Sequence, residues 1–201
     1  GSEEFLENRY KDSDRSYPFQ LLPEKPRVAI IGSAGGNEIL ASLYFGAKSI
    51  TGIELNPVTV SLLTDHFADF TGRLPERPEV TLVNAEGRSY LKSTGAELDL
   101  IWLVAPDRYA AMNAATSGAF VLSESYLYTR EMIEDALEHL SPDGILCAQF
   151  GEIEFAQKPN RVVRYLGTAR EAFAELGIAN FQEHVMVALS PGFGKLETAT
   201  I

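Results

Sequence analysis

Short apolar runs alternate with amphipathic stretches along the chain, and several of the runs have the length and residue types of β-strands. These runs cover residues 27–32, 49–55, 79–84, 98–104, 144–150 and 182–189. The first and fourth are almost continuously apolar, which is typical of parallel strands covered by helices on both faces. The alternation therefore predicts an α/β fold, a doubly wound and mostly parallel sheet with helices on both faces.

Residues that favour helix ends mark the helices between these strands. Asn56-Pro57 supplies an N-cap and a proline at the first helical position. Thr129 can cap a helix that we expect to end at Ser141, before the turn sequence PDG. Asn160 can start a further helix, for which Gly177 supplies a left-handed residue after the last turn.

The two ends of the chain show a weaker pattern of hydrophobic and polar positions. Residues 1–24 are a polar N-terminal segment that begins with an expression-tag remnant, Gly1-Ser2, and whose early part we expect to be loosely ordered. Residues 25–201 are expected to form a single domain. A turn at 190–194 should lead into a returning antiparallel strand that is partly truncated, as in a piece of a longer protein.

Charge and cysteine content narrow the classes of partner. The net charge of −11 disfavours nucleic acids, which need clustered lysine and arginine, and suits a cationic small molecule. No apolar run approaches the roughly 20 residues that cross a bilayer, so we expect no membrane contact and a cytoplasmic location. Cys147 is the only cysteine and is expected to be buried and inert, and the three histidines lack metal-ligand spacing, so no metal is predicted.

A cluster of small residues follows the first strand, and an acid ends the second. Gly32 lets the strand turn sharply, while Gly35 and Gly36 allow close backbone approach at the start of a helix. Glu54 can accept hydrogen bonds from both ribose hydroxyls of an adenosine. This pattern favours a nucleoside site, although a tight turn without a ligand has the same residues.

A dinucleotide site is the weaker interpretation of the same turn. The G-x-G-x-x-G pattern of such sites falls on Gly32, Ala34 and Asn37, so two of its three glycines are missing. A nicotinamide-dependent oxidoreductase is therefore an unfavoured alternative.

Two later turns add candidates at the same edge of the sheet. Glu86 and Gly87 follow the third strand, where a carboxylate and a backbone N–H can bind an adenine edge. A helix-start acid that stabilises the helix dipole explains Glu86 equally well. Asp107 follows the fourth strand and is the one candidate general base, unless it only starts a turn or caps the next helix.

Three stretches carry a recognisable sequence pattern, and the first contains the small-residue cluster described above. They are IGSAGGNE at 31–38, LYTREM at 127–132 and GILCAQ at 144–149. Together with Glu54 and Glu86-Gly87, they resemble the spermidine synthase-like (polyamine aminopropyltransferase) branch of the class I S-adenosylmethionine-dependent methyltransferase superfamily, over about residues 17–149. The resemblance implies a cofactor, S-adenosylmethionine or its decarboxylated form, and a small-molecule acceptor with amines among the candidates. It also implies a homodimer. The implied cofactor-binding residues are Gly32, Ser33, Ala34, Gly35, Gly36, Glu54, Leu55, Glu86, Gly87 and Val104.

The chain departs from that branch at positions that matter for the acceptor. The family's glycine loop carries an acid that holds the donor amine, and that position is Gly35 here. The first Asp of the family motif after strand four is Val104, whereas the second aligns with Asp107. We also expect that the two dozen residues before the first strand are too few to build the family's small N-terminal β domain. The sequence thus predicts a transferase that moves a methyl or aminopropyl group, with a cofactor-binding module that has lost catalysis as the alternative.

Overall fold

The structure, a computed structural model, describes residues 3–104, 126–191 and 196–201. The described residues divide into two compact units. The first holds residues 3–104 and 139–147, and the second holds residues 126–138, 148–191 and 196–201.

Seven strands form one sheet in the order β3-β2-β1-β4-β5-β7-β6. The strands are β1 (Arg27–Ile31), β2 (Ser49–Glu54), β3 (Val80–Asn84), β4 (Leu98–Leu103), β5 (Leu140–Ile153), β6 (Ala188–Pro191) and β7 (Leu196–Thr200). The pairs β1-β2, β1-β4 and β2-β3 are parallel, while β7 is antiparallel to both β5 and β6. The predicted mostly parallel sheet and its returning antiparallel strand are therefore confirmed.

The described helices follow the strands in the alternation that the sequence predicts. They are α1 (Glu3–Tyr10), α2 (Asn37–Tyr44), α3 (Pro57–Ser61), α4 (Gly87–Ser93), α5 (Arg130–His139) and α6 (Asn160–Glu175). None of them is long and apolar enough to span a bilayer. Asn56 caps α3 by accepting from the Val58 N–H, and the Thr129 hydroxyl accepts from the Met132 N–H in α5, so both predicted caps are confirmed.

The core of the first unit lies on both faces of β1 and β4. Ile30, Leu100 and Trp102 have essentially no exposed surface, which explains why these two strands are almost continuously apolar. Cys147 is buried with them, as predicted. Burial raises the pKa of the Cys147 thiol, because the thiolate would lose its hydration.

Beyond the first 104 residues, two of the predicted boundaries are wrong. Helix α5 ends at His139 and β5 starts at Leu140, so no helix reaches Ser141 and the PDG sequence lies inside a strand. The Ser141 hydroxyl donates to the Asp99 carboxylate (2.8 Å), which joins the start of β5 to β4. The predicted strand over 182–189 is also wrong, because strand pairing with β7 covers only Ala188–Pro191.

The start of α6 shows a cap that sequence reasoning misses. Asn160 is the first helical residue, as predicted, but no side chain caps the helix from the preceding position, Pro159. The buried Glu152 carboxylate of β5 instead accepts from the N–H groups of Arg161 (2.6 Å) and Val162 (3.0 Å). A charge from a neighbouring strand thus satisfies the helix N-terminus. At the other end, Gly177 takes a φ of +71°, as predicted.

The predicted helix after Asn56-Pro57 is shorter and less regular than its apolar pattern indicates. Regular α-helix ends at Ser61, and one π-type turn, Leu62–His66, follows it. The N-terminal segment also differs from the expectation of loose order, because residues 3–10 form α1 and Tyr10 is completely buried.

Candidate cofactor-binding site

The turn after β1, residues 32–36, is held by backbone hydrogen bonds and is called the glycine loop below. The N–H groups of Gly32 and Ser33 both donate to the Ile53 carbonyl of β2, at 2.9 and 3.1 Å. The Gly36 N–H donates to the Ser33 carbonyl (2.8 Å), which closes a tight turn before α2. Gly32 and Gly36 both have a φ of +83°, a conformation that glycine adopts without steric cost.

The backbone angle of Ala34 and the hydroxyl of Ser33, unpaired among the described residues, indicate that backbone contacts, and not hydrogen bonds of the loop's own side chains, hold the glycine loop in place. Ala34 has a φ of +41°, which is costly for a residue with a Cβ and is maintained by the surrounding contacts. The Ser33 side chain is fully buried, and its hydroxyl oxygen has no hydrogen-bond partner in the described part of the chain. Its side chain therefore packs beneath the loop and adds no hydrogen bond to it.

Glu54, the last residue of β2, lies against the glycine loop. One carboxylate oxygen accepts from the Ala34 N–H and the other from the Asn56 N–H, both at 2.9 Å. The two bonds fix the carboxylate at the carboxyl end of the strand, where ligands bind in open α/β sheets. The predicted loop residues and the predicted ribose acid are thus together in one place.

Asn84 supports Glu54 from the neighbouring strand, and sequence reasoning missed it. Its side-chain amide at the end of β3 donates to the carbonyls of Glu54 (2.8 Å) and Leu55 (3.1 Å). Leu55 itself is 36% exposed beside them. The sequence signal for Asn84 was its place as the last residue of a strand next to the one that ends at Glu54.

Glu86 caps α4. One of its carboxylate oxygens accepts from the Arg88 N–H (2.9 Å), and the other accepts from the N–H (2.9 Å) and hydroxyl (2.8 Å) of Ser89. Burial raises the pKa of this carboxyl, but the hydrogen bonds outweigh burial and leave the pKa below its ordinary value. Of the two interpretations from the sequence, the helix-start acid is the one that these contacts describe. Gly87, the next residue, is buried and is the first residue of α4.

Val104 marks the point at which the strand order reverses. Its N–H donates to the Ile31 carbonyl (3.3 Å), so the chain leaving β4 lies beside the start of the glycine loop. The strands that follow β1 in sequence, β2 and β3, lie on one side of it, and β4 lies on the other. Such a topological switch point is the usual ligand crevice of doubly wound folds.

The N-terminal segment holds the first turn of α2, which sequence reasoning also missed. Arg9 donates to the Asn37 side-chain oxygen through Nη2 (2.6 Å) and Nε (3.1 Å), and the Tyr10 hydroxyl donates to the Asn37 carbonyl (3.1 Å). Arg15 pairs with the buried Glu38 at 2.8 Å. A tyrosine within a polar run was the available signal for a docked segment.

The remaining predicted site residues are Gly35 and Asp107. Among the described residues, a Cβ added at Gly35 would meet no atom within 4 Å, and this is the position where the family that the sequence resembles carries an acid. Asp107 lies outside the described residues.

No protein-family model matches the sequence, and no curated protein matches it. Solved structures do match. A spermidine synthase in complex with the transition state analogue AdoDATO and the spermidine synthase from Thermotoga maritima are each 16% identical to the chain, with TM-scores of 0.64 and 0.63. The matches cover 99% of this chain but 60% and 59% of those two chains, so this chain spans about three fifths of their length.

Methyltransferase structures match as well. A putative SAM-dependent methyltransferase from Streptococcus mutans is 16% identical, with a TM-score of 0.59, covering 92% of this chain and 46% of that one. Human methyltransferase-like protein 13 in complex with SAH is 14% identical, with a TM-score of 0.54 and coverage of 91% and 74%. At these identities the likeness shows a common fold.

Proposed function

We propose that this chain, which has the fold of the class I S-adenosylmethionine-dependent methyltransferases, is a transferase. It binds S-adenosylmethionine or its decarboxylated form and moves a methyl or aminopropyl group to a small-molecule acceptor. The observation that carries the proposal is the Glu54 carboxylate, fixed by two backbone N–H groups at the switch point of the sheet.

The bound carboxylate of Glu54 retains the capacity to hold a ribose. A carboxylate oxygen has two lone pairs, and each oxygen of Glu54 uses one of them for a backbone N–H. In the part of the chain that the structure describes, one acceptor position per oxygen remains, which matches the two hydroxyls of a ribose. Asn84 stabilises this arrangement by holding the backbone at Glu54 and Leu55.

Considering the described residues alone, the start of α4 has one acceptor and one donor left for an adenine. The Glu86 oxygen that accepts from Arg88 has a second lone pair, whereas the other oxygen already accepts two hydrogen bonds. As the first residue of α4, Gly87 has an N–H that the helix's own hydrogen bonds do not use. The amino group of an adenine needs an acceptor, and its ring nitrogen needs a donor. The Glu86 oxygen and the Gly87 N–H supply these two groups, so the residues present fit the nucleoside.

The cofactor supplies a sulfonium-activated carbon, and the chain's own residues then have to align the two reactants. Asp107 is our candidate for removing a proton from an amine acceptor, on the basis of its position four residues after the end of β4. The net charge of −11 supports a cationic acceptor.

Product analysis tests the proposal. The purified chain is incubated with each donor and a panel of amine and methyl acceptors, and the nucleoside products are identified by mass spectrometry. S-adenosylhomocysteine identifies methyl transfer, and methylthioadenosine identifies aminopropyl transfer. Donor binding without either product would support a binding module, while NAD binding in place of both donors would support an oxidoreductase.

The variant Asp107→Asn should lower kcat at least about 100-fold, because an amide does not accept the proton of an ammonium group. Its affinity for the donor should stay within about twofold, since the nucleoside contacts proposed above do not include Asp107. Steady-state kinetics and calorimetry on the same preparation measure both quantities. An unchanged kcat would remove Asp107 from the mechanism.

A further inference from the structure

Arg9 is placed next to the glycine loop by the docking of α1. Its guanidinium donates two hydrogen bonds to the side-chain oxygen of Asn37, the residue that directly follows Gly36. Its Nε also lies 3.2 Å from the Tyr10 hydroxyl, and its guanidinium carbon lies 5.6 Å from the Tyr10 ring centroid. Because Tyr10 is completely buried, these contacts attach an exposed cation to a fixed part of the core.

The charge of Arg9 is unusual in its surroundings because no carboxylate of the described residues neutralises it. The neighbouring cations are paired, Lys11 with Glu7 and Arg15 with Asp14 and Glu38. Within residues 3–104, 126–191 and 196–201, no carboxylate lies within ion-pair distance of Arg9, and its partners are the neutral groups of Asn37 and Tyr10. In a chain with 28 acidic and 17 basic side chains, an unneutralised arginine is a candidate for binding an anionic ligand group.

The guanidinium has donors left for such a group. Of its five N–H donors, Nε and one on Nη2 bind Asn37, and no other residue in the described ranges accepts from the two Nη1 donors or from the second Nη2 donor. The hydrogen bonds to Asn37 hold the fork in place, which reduces the entropy lost when it binds a carboxylate. Gly35 lies on the loop between the strand end and Asn37, has room for a Cβ among the residues that the structure describes, and brings no negative charge of its own.

We propose that Arg9 binds the methionine carboxylate of the donor and thereby selects intact S-adenosylmethionine over its decarboxylated form. This inference rests on the proposed function, since it names the donor for the same site. The decarboxylated form has no carboxylate for Arg9, and its remaining propylammonium group is repelled by the guanidinium. Both forms carry the sulfonium methyl group, but intact S-adenosylmethionine has an aminocarboxypropyl chain in place of the aminopropyl chain. A protein that selects it therefore transfers the methyl group and not an aminopropyl group.

The test is a ratio of affinities measured on one protein. Wild-type chain and the variant Arg9→Gln are each titrated calorimetrically with S-adenosylmethionine, decarboxylated S-adenosylmethionine and methylthioadenosine. We expect Arg9→Gln to weaken S-adenosylmethionine binding by about tenfold, because a charge-assisted hydrogen bond is lost. Affinity for the other two ligands should stay within about twofold. Because damage to the fold would weaken all three, the ratio isolates the carboxylate.

Lys11→Met is the matched control. It removes one positive charge from the same segment, but Lys11 is exposed and paired with Glu7, so no ligand affinity should change. If Arg9→Gln weakens all three ligands equally, Arg9 only positions α2 and the inference is wrong, while the proposed function stands. If the wild-type chain binds none of the three, the proposed function itself fails.

A second variant tests the same selection from the other side of the loop. Gly35→Asp places a carboxylate on the glycine loop, where it would repel the donor carboxylate and attract the propylammonium group. We expect the preference for S-adenosylmethionine over its decarboxylated form to fall by about tenfold. An unchanged preference in both Arg9→Gln and Gly35→Asp would show that the donor carboxylate lies elsewhere.

Discussion

Replacing Glu54 with alanine is expected to weaken the binding of S-adenosyl ligands by roughly 10²- to 10⁴-fold. Two hydrogen bonds from ribose hydroxyls to an ionised carboxylate are lost, and each is worth about 1.5–3 kcal/mol. The variant also removes the acceptor for the Ala34 and Asn56 N–H groups, which loosens the glycine loop. Calorimetric titration with methylthioadenosine measures the effect, and thermal unfolding shows how much of it comes from the fold.

A matched ligand separates the ribose contact from the loop contact. The 2′-deoxy form of methylthioadenosine lacks one hydroxyl, so the wild-type chain should bind it about tenfold or more weakly than methylthioadenosine. Glu54→Ala should bind both ligands equally. If Glu54→Ala keeps the wild-type preference for the complete ribose, or binds methylthioadenosine as the wild type does, Glu54 is not the ribose acceptor.

Replacing Asp99 with alanine is expected to lower the free energy of unfolding by about 3 kcal/mol. Asp99 is 6% exposed and accepts four hydrogen bonds, from the Arg27 N–H, Nε and Nη2 and from the Ser141 hydroxyl. Its removal leaves Arg27 with the exposed Glu97 as its one ion-pair partner among the described residues. Urea denaturation measures the change. The control is Glu97→Gln, which keeps Asp99. Because Glu97 forms only a surface ion pair, we expect the control to lower the free energy of unfolding by at most about 1 kcal/mol.

The same carboxylate should make the fold sensitive to acid. Hydrogen bonds from Arg27 hold the pKa of Asp99 well below its ordinary value, and they outweigh the opposing effect of burial. A lowered pKa in the folded state means that this stabilisation is complete above the unfolded pKa of about 4 and is lost as the pH falls below it. The difference in stability between the wild type and Asp99→Asn should therefore shrink below about pH 4. A difference that is constant from pH 7 to pH 3 would contradict the assignment.

Sequence reasoning succeeded where local chemistry decides the structure. The continuous apolar runs of β1 and β4 are explained by burial on both faces, and the caps Asn56 and Thr129 act on N–H groups two or three residues away. The class I methyltransferase fold, suggested by the glycine loop and Glu54 together with the stretches LYTREM and GILCAQ, is likewise confirmed by the structural comparisons. Each of these features needs only neighbours in the sequence or a repeating pattern.

Sequence reasoning failed where a residue distant in the sequence determines the local structure. Glu152 caps α6 from a strand, and the apolar run at 182–189 forms a strand only where β7 pairs with Ala188–Pro191. The docking of Tyr10 and Arg9 onto Asn37 joins residues 27 and 28 positions apart, so a polar N-terminal segment gave little indication of it. The same limit holds for Glu86, since its residue type fits a cap and an adenine contact equally well.

The central claim is that the glycine loop and Glu54 bind an adenosine that carries a sulfonium. Calorimetric titration of the purified chain with S-adenosylmethionine, its decarboxylated form, methylthioadenosine and NAD tests it most directly. We predict saturable binding of the three sulfur-containing nucleosides, with S-adenosylmethionine preferred over its decarboxylated form and NAD not bound. Binding of NAD alone, or of none of the four, would contradict the account.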